Sequence, residues 1–497
     1  IGGLAAAAYS ARAGKRTLLL EARDNFFGRA ERIALGEGVS APLAAEAFYC
    51  LDQKLINDLH LEKFGLRILR HAMPVTALRP DGRHLTLPHE LSLAREAITA
   101  EGSEDAAAYR DFRRAHYSLA RQLRSLWVPR GDSMQWRHPA GSLTGISRGL
   151  RLSASQQELL EIAARSSANV YLRNWFESDT LVMALSFDTA LDGVSPDEPS
   201  SALLLVWRAA QEFAGAQGAI GQVEGGPEAL ASALTSAARE AGAVLRADAD
   251  VSAIELKNER VCGVRLGDDS TIESKIVISS LGAQQTFDEL LLPECLPFGS
   301  LRHAERLPSD DNAKAFFTLK GLPPFAGLSE RELRGRLITS ETSDAAARSK
   351  FAARMGLLPR DLIMEITVPS IADPSLSVKG VHVLSANIPF LPISPRGGWE
   401  ANMSILETQI LSELEIYAPG LKDRVIEAKI ITPDDIRARH GRDWSSPNFY
   451  ERLLRSYGDS VRTPIKGLYL CGLDAEPTNA VTGRAGRVAA LLALAEN

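Results

Sequence analysis

Apolar and polar positions change rhythm several times along this chain, and each rhythm predicts an element. Directly after Gly2 and Gly3, residues 4–9 run Leu-Ala-Ala-Ala-Ala-Tyr, which predicts a helix ending at the run Ala13-Gly14-Lys15-Arg16. Thr17, Leu18, Leu19 and Leu20 follow as a short apolar strand that ends on Glu21. Residues 228–241 carry Leu230, Leu234 and Ala238 at helical spacing, and Gly242 marks the helix end. Strands are predicted around 243–245, 251–256 and 261–266, with a polar turn at 257–260. Residues 275–280 are apolar enough for burial on both faces, as in a parallel sheet. Near the end, residues 467–472 form a short strand closing on Gly472, and Val481-Thr482-Gly483 leads into an Ala- and Leu-rich helix.

The opening glycines, helix and strand read as the second half of a βαβ dinucleotide-binding unit. Gly3 takes the place of the third glycine, where a missing side chain lets helix and strand pack closely, and Glu21 follows 18 residues later. That is close to the spacing of a carboxylate that binds an adenosine ribose. The first strand and first two glycines of such a unit are absent, as is an initiator Met, so a fragment of a longer protein is expected. Residues 1–75, 215–305 and 456–497 are assigned to one Rossmann-like α/β nucleotide-binding domain. Residues 76–214 are helix-rich and include a buried helix or strand at 201–207. Residues 306–455 add strands at 315–319 and 381–385 and an amphipathic helix at 399–417. These two insertions are read as one α+β substrate domain.

Composition narrows the function classes. At 497 residues the chain exceeds the usual size of a single core, and its 45% hydrophobic and 24% charged residues are ordinary for a globular protein. A net charge of −6 without a basic block points away from nucleic acid. No apolar run is long enough to cross a bilayer, and Arg12, Lys15 and Arg16 follow the first apolar stretch instead of preceding it. A cytoplasmic protein is expected, with peripheral membrane contact open. Cys50, Cys262, Cys295 and Cys471 lack CxxC spacing and are expected to be reduced and mostly buried. The nine histidines show no HExxH pattern, so no metal site is predicted. Tyr9, Trp175 and Phe187 are read as core aromatics. Oligomeric state stays open.

Several short motifs carry a resemblance over nearly the whole chain. They are Gly2-Gly3, Leu20-Glu21-Ala22-Arg23, Gly28-Arg29-Ala30, the run 175–179 (Trp-Phe-Glu-Ser-Asp), Gly225-Gly226, the run 372–376 (Ala-Asp-Pro-Ser-Leu), and the run 462–472 ending in Leu-Cys-Gly. In this order they resemble flavoprotein oxidoreductases of the phytoene desaturase type, nearest the phytoene-dehydrogenase-related subgroup. The resemblance implies a glutathione-reductase-type domain holding extended FAD. Glu21 would accept hydrogen bonds from the adenosine ribose, and Gly2 and Gly3 would flank the diphosphate at a helix N-terminus. Arg29 would lie near the diphosphate and flavin, Val251 would present backbone groups to the adenine, and Gly472 and Asp474 would meet the ribityl-phosphate region. Val481, Thr482 and Gly483 would bring the last helix N-terminus to the flavin's pyrimidine edge. Taken alone, Glu21 also reads as a charged strand end, Arg29 as a surface residue, Asp474 as a turn former and Thr482-Gly483 as a helix cap.

The chain departs from the family pattern in three places. Phe27-Gly28 stands where a glycine pair is usual. Residues 475–480, Ala-Glu-Pro-Thr-Asn-Ala, replace a His- and Gly-rich loop, and the segment before the last strand is shortened to 442–450. Three readings follow. The first is an FAD-dependent oxidoreductase acting on an apolar, lipid- or polyene-like substrate, with the flavin carrying the hydride and Glu476 and Asp474 as positional guesses for catalytic groups. The second is a flavoprotein fold turned binding or assembly partner. The third is amine oxidation, favoured if an aromatic pair drawn from Trp136, Trp444 and Tyr450 flanks the flavin.

Overall fold

The computed structural model describes residues 1–102, 104–128, 147, 149–292, 310–339, 342, 344–440, 453, 460–478 and 480–496. The segment 442–450, Asn479, Cys295, Trp136, Trp444 and Tyr450 lie outside them.

The predicted first helix is Gly2–Arg12, and Gly14 leaves it with φ of 78°. Its residues Leu4 to Tyr9 are all buried, too many for a surface helix with one apolar stripe, because partners press on it from two sides. These are the helices Gly226–Glu240 and Arg484–Glu496. Gly486 makes the second contact possible: a Cβ there would stand 2.0 Å from the Gly2 carbonyl oxygen. The helix Gly226–Glu240 starts on Pro227 and Glu228 and presents Leu230, Leu234 and Ala238 inward as predicted. Gly242 then takes the left-handed conformation, φ 94°.

Two parallel ladders flank these helices. Leu18–Leu20 pairs with Val244–Arg246, and Val277–Ser279 pairs with Leu468–Leu470. Segments more than 180 residues apart thus pair in two separate parallel ladders beside the first helix, in keeping with a Rossmann-like α/β domain. A three-stranded antiparallel sheet, Val251–Lys257, Arg260–Leu266 and Thr271–Glu273, forms the hairpin expected around the 257–260 turn.

The largest sheet has seven strands. In spatial order they are Val425–Ile431, Asp310–Lys320, Val381–Pro392, Met364–Thr367, Arg336–Thr339, Val75–Ala77 and Leu85–Leu87. The helix Gly398–Tyr417 covers it with Leu406, Ile410, Leu414 and Tyr417. Helices Asp105–Trp127, Ala154–Arg165, Ala168–Arg173 and Ala202–Ala210 enclose a second core. All nine residues of Ala202–Ala210 are buried, which resolves the 201–207 run as a helix. Tyr9 and Phe187 are core residues, and Trp175 packs edge-on to Phe112. Cys50 and Cys471 are buried, whereas Cys262 is exposed on its hairpin strand.

Candidate active site

One cavity of about 620 Å³ runs between the parallel ladders and the large sheet. Its first end is built by strand ends and a helix start, where backbone donors and a carboxylate collect. Gly2 and Gly3 open the helix Gly2–Arg12 on this wall, and Glu21 closes the strand Leu18–Leu20. The Arg23 N–H donates to Glu21 Oε1 at 3.1 Å, fixing the carboxylate at the rim. Arg29 stands on a short 3-10 turn, Gly28–Ala30. Gly472 lines the cavity at the end of Leu468–Leu470, and Val481, Thr482 and Gly483 line it before the last helix.

Eight of the residues assigned from sequence to a cofactor therefore share one wall. Val251 and Asp474 do not belong to the lining. Val251 sits in the antiparallel ladder and packs near Leu20, while the Asp474 carboxylate accepts the Ala283 N–H at 2.8 Å, at the start of the helix Ala283–Asp288. Of the two guessed catalytic groups, Glu476 lines the cavity and is buried. Its Oε1 accepts the Ala485 N–H at 3.0 Å and the Thr482 hydroxyl.

Two of the departures from the family pattern, at Phe27-Gly28 and in the described part of 475–480, are accommodated locally. Phe27 has φ −81° and ψ −34°, ordinary right-handed backbone, so the position makes no demand for glycine. Gly28 does, at φ 53°. Thr478 is buried and accepts the Ala480 N–H at 3.3 Å.

The far end of the cavity was not legible in local motifs. Glu46, Tyr49, Asp192, Arg208, Lys314 and Glu365 meet there from five separate segments. Lys314 Nζ reaches Glu46 Oε2 at 2.6 Å, and Arg208 reaches Asp192 at 3.0 Å. The Arg208 guanidinium lies over the Tyr49 ring, 3.6 Å from its centroid, with Arg336 at 5.3 Å. Burial pushes the Tyr49 phenol well above its usual pKa. A lysine at 314, set between Ala313 and the apolar run Ala315-Phe316-Phe317, is the one sequence signal that could have marked this end.

Residues 1–350 match the profile of the flavin containing amine oxidoreductases. The chain belongs to this family. Its cofactor is FAD, and it is an FAD-dependent oxidoreductase. Relatives agree along the full length. Pyridine nucleotide-disulfide oxidoreductase domain-containing protein 2 of Rattus norvegicus is 28% identical over 98% of this chain and 90% of its own. The lycopene-forming phytoene desaturase of Pseudescherichia vulneris is 26% identical over 97% of this chain and 94% of its own. An oxidoreductase structure from Methanosarcina mazei aligns over 100% of this chain and 98% of its own, with a TM-score of 0.63 at 18% identity, which shows the shared fold.

The first wall of the flavoprotein's cavity has the donor set an extended dinucleotide needs. With FAD bound, Glu21 could take ribose hydroxyls, Gly2 and Gly3 could set the helix start against the diphosphate, and Arg29 could stand beside it as a cation. Gly472 and the run 481–483 continue this wall toward the far end. When bound, FAD supplies the hydride chemistry. No helix among the described residues is long and apolar enough to cross a membrane.

Proposed function

We infer that this oxidoreductase moves hydride between FAD and an apolar, lipid- or polyene-like substrate, in a desaturation, saturation or isomerisation. The observation that carries the reading is the continuity of one cavity, from the Glu21 rim to a second compartment walled by the large sheet. The names of relatives supply the substrate class. Besides the phytoene desaturases, they include a component of the limonene dehydrogenase of Castellaniella defragrans, 23% identical over 98% of this chain. Peripheral membrane contact belongs to the same proposal. Phe351, Met355 and Leu357 are exposed beside Arg354 and Arg360, a pairing of apolar and basic groups suited to an anionic lipid surface.

A second reading, amine oxidation, rests on the family description; Glu46, Asp192 and Glu365 at the far end are each paired with a cation, Lys314, Arg208 and Arg336, and so lend it no free anion. Anaerobic mixing of the FAD-loaded protein with polyenes or unsaturated terpenes in detergent, and separately with primary and secondary amines, decides between them. Bleaching by the hydrocarbons, or reoxidation of the reduced protein by them, supports the first reading. Bleaching by amines alone overturns it.

A further inference from the structure

The large sheet turns two unlike faces. Towards the helix Gly398–Tyr417 its strands present Ala313, Ala315, Ile366, Ala386 and Ile388. Side chains alternate along a strand, and towards the cavity the intervening positions are polar: Asn312, Lys314, Glu365, Thr367 and Asn387. Lys314, Asn387 and Glu365 stand in one row on three neighbouring strands, with Asn387 directly opposite both others. Ala386 and Ile388 are 0% exposed, whereas Asn387 is half-buried, and the open part of its side chain lines the cavity. The charged side chains at this end of the lining are all paired. Lys314 holds Glu46, Arg208 holds Asp192, and Glu365 meets Arg336, which also holds Asp188. The Asn387 amide has no hydrogen-bond partner among the described residues. Thr367 Oγ1, Asn312 Oδ1 and Tyr49 Oη, buried in the same lining, also lack one. So do Nε and Nη1 of Arg208, whose guanidinium lies over the Tyr49 ring.

What this floor leaves unmet is neutral hydrogen bonding more than charge. We propose that Asn387 is a specificity residue that binds a hydroxyl group carried by the otherwise apolar substrate. This role rests on the hydride-transfer reading, which puts the substrate in this compartment, and it narrows the substrate class to an isoprenoid or lipid alcohol. A carboxamide donates through its nitrogen and accepts through its oxygen, and a hydroxyl likewise does both. A hydrocarbon pressed onto the same floor would strip water from the amide and return no partner, which costs more than a single hydrogen bond contributes. An ionised amine or carboxylate would have to break an existing ion pair or lie buried without a counter-ion. Pairing with strands on both sides fixes the Asn387 backbone, so the amide is in place before substrate arrives.

Anaerobic equilibrium dialysis of the FAD-loaded protein against farnesol, farnesene, farnesoic acid and farnesylamine tests this, because the four share one carbon skeleton and differ at its end. Farnesol is expected to bind at least about tenfold more tightly than farnesene, and more tightly than the acid or the amine. Asn387→Leu, close in volume, should bring farnesol and farnesene to within about threefold of each other while FAD affinity holds. If Asn387→Leu fails to fold, Asn387→Ala gives the same comparison. Equal binding of farnesol and farnesene, tighter binding of the acid or the amine, or no binding of any of the four overturns the role. So does a preference for farnesol that survives both substitutions. Loss of FAD from a folded variant also overturns it, since Asn387 would then serve the cofactor. Failure of every substrate to exchange hydride with the unmodified, FAD-loaded protein would instead overturn the hydride-transfer reading and leave these affinity ratios measurable.

Discussion

Lys314 and Glu46 stand 268 residues apart in sequence and 2.6 Å apart in space, with each side chain 5% exposed. Glu46 also accepts the Ser385 hydroxyl at 2.5 Å, so the large sheet grips the loop before Tyr49 from two strands. Burying such a pair offers little net stability, but breaking it leaves an uncompensated buried charge. Lys314→Met should cost roughly 3–5 kcal/mol in urea unfolding. Adding Glu46→Gln should return part of that loss. Two independent, additive losses in the double-mutant cycle would contradict the coupling.

Glu21, whose Oε1 accepts the Arg23 N–H at the cavity rim, is the proposed ligand of the adenosine ribose. Charge-assisted hydrogen bonds contribute roughly 1.5–3 kcal/mol each, so Glu21→Ala should weaken FAD binding about 10- to 100-fold. Fluorescence titration of the apoprotein measures this. Equal affinity would remove Glu21 from the ribose role.

His116 ties stability to pH. It is 3% exposed, with Nδ1 2.9 Å from the Tyr171 hydroxyl and Nε2 3.1 Å from the Leu205 carbonyl. Burial lowers its pKa from 6.5 to about 4. The folded state therefore binds fewer protons than the unfolded one between these values. Its contribution is present above pH 6.5 and is lost as pH falls toward about 4. The loss is roughly 3 kcal/mol at most. Unfolding free energies at pH 7 and pH 4.5 should differ less in His116→Gln than in the unmodified protein. Equal differences would mean that His116 does not carry this dependence.

Two of the recognised motifs hold each other instead of the cofactor. The Asp373 carboxylate accepts the Gly225 N–H at 2.8 Å, and Arg32 donates to the Gly225 carbonyl at 3.1 Å. Gly225 and Gly226 have φ of 80° and 63°, which only glycine adopts readily. Asp373→Ala should cost roughly 1–3 kcal/mol in stability, because it leaves a buried N–H unpaired, and the flavin spectrum should stay unchanged. A spectrum altered at unchanged stability would place this clamp at the cofactor.

Local signals were legible in the sequence: the Ala-rich first helix, Glu21 at its strand end, Gly242 after its helix, and the hairpin around 257–260. Each depends on residues near one another in the chain. Asp474, expected near the ribityl-phosphate region, is outside the cavity lining and accepts the Ala283 N–H, a partner 191 positions away that no local motif announces. The far compartment was invisible for the same reason, since Lys314, Glu46 and Arg208 acquire partners only through the sheet and its flanking helices.

FAD binding by the first wall is tested most directly by the visible absorption spectrum of the purified protein after incubation with FAD and removal of the excess. The expected result is an oxidised-flavin spectrum that dithionite bleaches, with FAD released on denaturation. A colourless protein that FAD cannot reconstitute would contradict the assignment of this wall to the cofactor.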